Sequence, residues 1–334
     1  MAPPVLTSVA PNTGPAAGTN PVTLNGSQFT GATAVTFGSA AALSYTVTTP
    51  STITATVPPG TGTVNVTVRT PAGLSNTVAY TYAPTPTLSA IAPNQGPTSG
   101  GTTVVLTGTG LTGTTAVTFG STPATSYTVN SANQITAVTP AGSGAVAITA
   151  TTVGGTSGPV FFYYLNEPSL LSVSPAEGPT SGGTTVVLTG TGLTGTTAVT
   201  FGSTPATSYT VNSATRITAI TPPGSGSVAC TVTGPGGTSN SVIYTYVAAP
   251  TLTALSPTQG PTGAGATVTL TGTGLTTTFA VHFGTEPAAF TVVSDTTAIA
   301  IAPAGPAGPV PVSVMTSGGT TNSLAYQRVA PPAI

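Results

Sequence analysis

The chain has 334 residues, of which 2% are charged: three Arg, no Lys, four acidic side chains and a net charge of −1. No basic patch can form on such a surface, which excludes nucleic acid as a partner and polybasic attachment to anionic lipid. No apolar run reaches the ~20 residues that cross a bilayer, and the single cysteine, Cys230, excludes a disulfide framework within one chain.

The N-terminal MAPPVLTSVAP has neither the positive segment nor the apolar core of a secretory signal, so the expectation is either that the sequence begins at the mature end or that the protein leaves its cell by another route, such as lysis or a dedicated secretion system. Further along, residues 96 to 132 are repeated verbatim at 178 to 214, a shift of 82. The same shift relates PNTGP at Pro11, PNQGP at Pro93, PAEGP at Pro175 and PTQGP at Pro257. It also relates the Phe-Gly pairs at Phe37, Phe119, Phe201 and Phe283, and the aromatic closures at Tyr80, Phe162, Tyr244 and Tyr326. A fixed period of this length marks tandem structural units. The expected domains are 1–83, 84–165, 166–247 and 248–334, the last with a short C-terminal tail.

Gly and Pro exceed a fifth of the chain, yet every unit carries regular short apolar runs that a disordered tract lacks. In the second unit the predicted strands are 87–91, 102–107, 115–119, 124–129, 133–138, 145–152 and 160–165, separated by Gly, Pro, Asn and Ser. Seven short strands with no helical period predict an all-β fold, a two-sheet sandwich in each unit. Alternation turns Val104, Leu106, Val117, Phe119, Ile135, Val146, Ile148, Phe162 and Tyr164 inward. Gly96-Pro97 reads as a turn, and Gly100-Gly101 as positions with positive φ. Gly108 and Gly110 read as a chain reversal that lets Leu111 tuck inward. A nucleotide reading of these glycines fails, because no helix follows them and no Lys is available. Of Tyr80 and Tyr82, one is expected in the core and the other half-covered by the next unit.

The combined pattern P-x-x-G-P-x-x-G-G-T, V-x-L-x-G-x-G-L, A-V-x-F-G and I-x-A-x-x-P-x-G-x-G, closing on an aromatic pair, resembles the IPT/TIG family of immunoglobulin-like domains over nearly the whole chain. The resemblance implies four tandem early-set immunoglobulin-like sandwiches with a role in binding or spacing. Family members that grip DNA do so with basic loops, which this chain lacks. Its Ala, Gly and Thr richness resembles bacterial and phage members.

An enzyme needs acids, bases, nucleophiles or metal ligands close together, and the inventory here is nearly empty. His282 lies in AVHFG where the other units have Thr, and reads as an outward strand residue. Glu286 and Asp295 read as solvated carboxylates rather than an acid/base pair. Glu167 and Glu177 flank the junction of units two and three and could share a cation or pair with Arg216, but Gln95 and Gln259 replace the second Glu at the other boundaries, which argues against a junction site. Cys230, in SVACTVT, reads as a small buried hydrophobe. The expectation is therefore no catalytic, cofactor-binding or metal-binding residue and no cofactor.

The linkers 83–86, 165–168 and 247–250 are short and contain proline, which predicts stiff connections and an extended rod. Strand edges without Lys or other charges look unguarded against pairing between copies. The expected function is a non-catalytic structural or adhesive protein of a bacterial exterior, extracellular or at the cell surface, that self-assembles as a homo-oligomer or polymer or projects a binding surface to a cell-surface glycan or protein. A phage or contractile-particle decoration protein, located on the virion, and accessory domains of a secreted polysaccharide-processing enzyme are the alternatives.

Overall fold

A computed structural model describes residues 2–331, and every regular element among them is a β-strand. The tail expected after the fourth repeat is thus described only to residue 331, and 332–334 lie outside the described residues. The first repeat consists of β1 (Val5–Ala10), β2 (Thr13–Pro15), β3 (Pro21–Ser27), β4 (Ala34–Phe37), β5 (Ala40–Ala41), β6 (Ser44–Thr49), β7 (Thr52–Thr56), β8 (Gly62–Thr70), β9 (Gly73–Leu74) and β10 (Val78–Ala83). One sheet has the order β1-β3-β7-β6 and the other β2-β10-β8-β4-β5, with β9 paired to β8. All pairings are antiparallel except that of β2 with β10. The other three repeats have the same two sheets in the same order. The chain divides into two compact units at Leu165/Asn166, each holding two repeats.

All seven strands expected in the second repeat form, and so does its core. Val104, Leu106, Val117, Phe119, Ile135, Ile148, Phe162 and Tyr164 are buried, while Val146 is half-buried and packs against them. The turn expected at Gly96-Pro97 is instead a strand, Gln95–Pro97, running parallel to the last strand of its repeat. The chain leaves the first sheet at the cis Ala92-Pro93 bond and enters the second there. Gly100 and Gly101 have positive φ as expected.

The Gly-x-Gly pair serves two different purposes. Gly110 has a φ of 67°, and Leu111 behind it is fully buried. Gly108, in contrast, continues the strand Thr103–Thr109, and a Cβ there would overlap the carbonyl oxygen of Thr87. Gly26, Gly190 and Gly272 meet the carbonyls of Val5, Ser169 and Thr251 in the same way. Each repeat thus brings its first strand against a glycine, at a register shift such as that between Leu6 and Ser8.

An asparagine completes this docking in three repeats. Leu6 donates its N–H to Asn76 Oδ1 at 2.9 Å, and Asn76 Nδ2 donates to the Leu6 carbonyl at 2.8 Å. Asn240 holds Leu170 and Asn322 holds Leu252 by the same two bonds. The second repeat has Gly158 at this position, and its Leu88 is only half-buried where Leu6, Leu170 and Leu252 are buried. A Cβ at Gly158 meets nothing. Gly158→Asn is expected to stabilise the second repeat by about 1–2 kcal/mol, the worth of two net hydrogen bonds. Its denaturant midpoint should rise without a change in slope.

The closing aromatics differ from expectation. Tyr80 and Tyr82 are both core residues of their own repeat, with rings 5.1 Å apart edge to face, so neither waits for the next unit. The Tyr82 ring lies over Gly60, and its hydroxyl donates to the Pro58 carbonyl at 2.9 Å. Tyr164 and Tyr246 make the same bond to Pro140 and Pro222. The fourth repeat has Arg328 there, buried, with Nη2 donating to the Pro303 carbonyl at 2.9 Å.

Sheet edges carry little charge, only Glu177 and Glu286 standing on edge strands among the described residues, but they are blunted by other means. Edge strand β6 is shifted in register between Val47 and Thr49, and its counterparts are shifted at Val129/Ser131, Val211/Ser213 and Val292/Ser294. The other sheet ends on β2, which is three residues long and closes on Pro15, and on the two-residue β5. Bulges, brevity and proline twist or interrupt an edge that could otherwise template another chain. The edges expected to be unguarded are therefore guarded by backbone shape.

Candidate functional surfaces

The residues weighed for chemistry do not converge. His282 stands on the fourth repeat's Thr278–Phe283 strand, opposite Ser313, half-buried on the outer face. Its counterparts Thr36, Thr118 and Thr200 hydrogen-bond across to Thr67, Thr149 and Thr231 at 2.7, 3.0 and 2.9 Å. Glu286 is exposed beside Phe283. Asp295 is also exposed, and it accepts from Thr276 Oγ1 at 2.8 Å and from the Gly274 N–H at 3.3 Å. Those bonds, the threonine hydroxyl first, hold its carboxyl below the usual range. It closes a loop of its own repeat.

Glu167 and Glu177 lie toward opposite ends of the third repeat. Glu167 packs beside Gly237, ahead of the last strand Val242–Val247, whereas Glu177 pairs with Thr245 near that strand's end. The first strand, Ser169–Ser174, runs the length of the sandwich between them, roughly 20 Å at about 3.3 Å per residue, so no cation can bridge the two. Arg216 sits on a different sheet from Glu177, opposite Thr189. Among the described residues no group of three or more His, Cys, Asp or Glu is placed to hold a metal ion.

Cys230 is fully buried, and burial pushes its thiol up to about 12. A thiol so rarely ionised is a poor nucleophile at neutral pH. The folded protein is expected to resist a thiol-specific alkylating agent and to take up one equivalent once denatured.

The surface becomes distinctive where the near-identical second and third repeats diverge. Inward, Ile148 is replaced by Cys230, Ala150 by Val232 and Phe162 by Tyr244, the last adding a buried hydroxyl. Outward, the chemistry changes: Phe161 and Tyr163 are exposed on the second repeat where the third has Ile243 and Thr245, and Gln95 gives way to Glu177. The alternation of VFFYYL, with 162 and 164 in the core, turns residues 161 and 163 outward, so this pair is legible in the sequence.

A second surface feature lies within the second compact unit. A cleft of about 400 Å³ forms between the third and fourth repeats, lined by Pro175, Glu177, Pro179, Phe279, Met315 and Thr320 among others. Phe279 is 62% exposed. A register shift between Thr278 and Ala280 aims it outward, which strict alternation could not reveal.

Ten strands in two sheets, with the chain crossing from one sheet to the other between the first and second strands, define an immunoglobulin-like β-sandwich repeated four times. The IPT/TIG domain pattern matches residues 4–82, 86–164, 168–246 and 250–328, and the chain belongs to that family. No curated protein matches it by sequence. Among solved structures, it is similar to the full extracellular region of plexin A4, with 17% identity, a TM-score of 0.37, and coverage of 99% of this chain and 38% of that one. It is similar to invasin, a bacterial integrin-binding protein, with 17% identity, a TM-score of 0.30, and coverage of 98% and 79%. It is also similar to SGBP-B from a xyloglucan utilization locus of Bacteroides uniformis, with 18% identity, a TM-score of 0.26, and coverage of 69% and 66%. The chain spans 38% and 48% of the length of the two plexin A4 regions it resembles.

Proposed function

We propose that this protein is a non-catalytic array on a bacterial exterior, in which one sandwich is copied to extend reach and to carry different outer surfaces. The observation that carries this reading is the pattern of divergence between the second and third repeats. Core positions keep an apolar or aromatic side chain, with Phe162 to Tyr244 adding a buried hydroxyl, while outward positions change from aromatic to aliphatic or hydroxyl and from amide to carboxylate. A scaffold that presents surfaces needs that division, because the core tolerates only volume-conserving change whereas the surface is free to vary.

Stiff connections support the reading. Gly154 of the second repeat packs against the carbonyls of Ala83 and Pro84, and the Thr85 hydroxyl donates to the Gly154 carbonyl at 3.2 Å. Gly318 of the fourth repeat packs against the Ala248 carbonyl. Each of these linkers is thus seated on the repeat that follows it, and proline limits its remaining freedom. The blunted edges favour projection of a binding surface over edge-to-edge polymerisation.

Removal of one internal repeat, residues 84–165, tests the proposal. The shortened chain should keep the calorimetric transitions of the other three repeats, because each owns its core. Collapse of the remaining repeats would show that the units cooperate around a shared structure, and the array reading would fail.

A further inference from the structure

The cleft between the third and fourth repeats carries three residues that their sister repeats lack. Glu177 replaces Thr13, Gln95 and Gln259; Phe279 replaces Thr33, Thr115 and Thr197; and Met315 replaces Arg69, Thr151 and Thr233. They come from two different repeats and line one cleft. The chain has only four carboxylates, and one of them is here, while none of the three arginines lines the site.

We infer that this cleft binds an organic cation, an arginine or lysine side chain of a basic polypeptide, with Phe279 and Glu177 as its recognition pair. An aromatic face attracts a guanidinium or ammonium through its quadrupole. A carboxylate in the same cleft adds charge and hydrogen-bond acceptors, which suit the guanidinium fork best. Met315 offers a polarisable wall to the aliphatic stem of such a side chain. Thr184 and Thr320, also in the lining, add hydroxyl groups that can accept hydrogen bonds. A volume of about 400 Å³ accommodates one long side chain and its flanking backbone. In a chain with net charge −1 there is no general field to draw cations elsewhere, so the local carboxylate sets the site's selectivity.

This inference rests on the reading of the protein as a presenter of surfaces and names the partner chemistry of one of them. The sister repeats supply the test substitutions, since Glu177→Gln and Phe279→Thr install residues the same fold already carries. Binding to the full-length chain would be measured calorimetrically with an oligoarginine peptide, arginine amide, an oligoglutamine peptide and a cello-oligosaccharide. Oligoarginine should bind, more weakly as salt rises, and the neutral probes should not. Each single substitution should weaken binding several-fold and the double substitution about tenfold or more. Binding of arginine amide as tight as that of oligoarginine would move the source from a polypeptide to a free cation and overturn the partner assignment. No binding of either cation, affinity unmoved in the double variant, or preference for the cello-oligosaccharide would overturn the site itself. The repeat-deletion calorimetry reads the array independently, so either claim can fail alone.

Discussion

Gly108→Ala is expected to destabilise the second repeat by about 3 kcal/mol, near the upper end of overpacking penalties. The added methyl has nowhere to go: it would overlap the Thr87 carbonyl oxygen and crowd the backbone of Leu88. Backbone cannot rotate aside as a flexible side chain can, so the first strand must lift from its partner. A domain of about 80 residues has a stability of only ~4–12 kcal/mol, so the loss is a large part of the total. The same substitution at Gly26, Gly190 or Gly272 should act on its own repeat, because each faces the carbonyl of the corresponding first-strand residue. Gly158→Ala is the control. Its Cβ meets no atom, and it should be neutral or stabilising by about 0.5 kcal/mol. Denaturant unfolding of the two variants measures both effects, and equal midpoints would show that the close approach is not what requires glycine.

The second large effect is expected at high pH. Burial raises the pKa of Tyr80, Tyr82, Tyr164, Tyr246 and Tyr326 above the ordinary 10.0. A raised folded value means that the native state keeps its proton while the unfolded chain loses it. The stabilisation is therefore complete below pH 10 and is lost as pH rises through the folded values. Each such tyrosine costs about 1.4 kcal/mol per pH unit in that window. The first repeat has two of them, Tyr80 and Tyr82, against one in each other repeat, but the third adds Cys230, whose thiol burial pushes from 9.0 up to about 12, so the third repeat should unfold first. On the acid side the sign reverses. The lowered pKa of Asp295 gives stability that is present above its ordinary 3.8 and lost as pH falls through the folded value, a small effect for an exposed group. With four carboxylates, one His and no Lys, stability should be nearly flat between about pH 5 and pH 9. Denaturant midpoints across the alkaline range, with phenolate absorbance as a second probe, check the prediction. Tyrosine ionisation well ahead of unfolding would contradict it.

Local pattern was enough to read most of the fold. The alternation of TTVVLT and NQITAV places Val104, Leu106 and Ile135 inward because a strand has period two, and the structure buries all three. What local pattern missed depends on partners far along the chain. Gln95–Pro97 looks like a turn until the last strand of the repeat, some 70 residues on, pairs with it. Gly108 looks like a hinge until the first strand is seen to press on it. Tyr82 and Tyr80 are two apart and so share a face, and the reach of the Tyr82 hydroxyl to Pro58 draws it into the core. Composition suggested bare edges, whereas bulges depend on register and leave no compositional trace. Glu167 and Glu177 look close in sequence, yet a full strand separates them. Phe279 was hidden because a bulge breaks the alternation that would have placed it.

Amide hydrogen exchange of the full chain beside the chain lacking 84–165 tests the central proposal most directly. Each repeat has its own buried core, so protection in the strands of the other three repeats should be unchanged by the deletion. Loss of protection across the remaining repeats would contradict it.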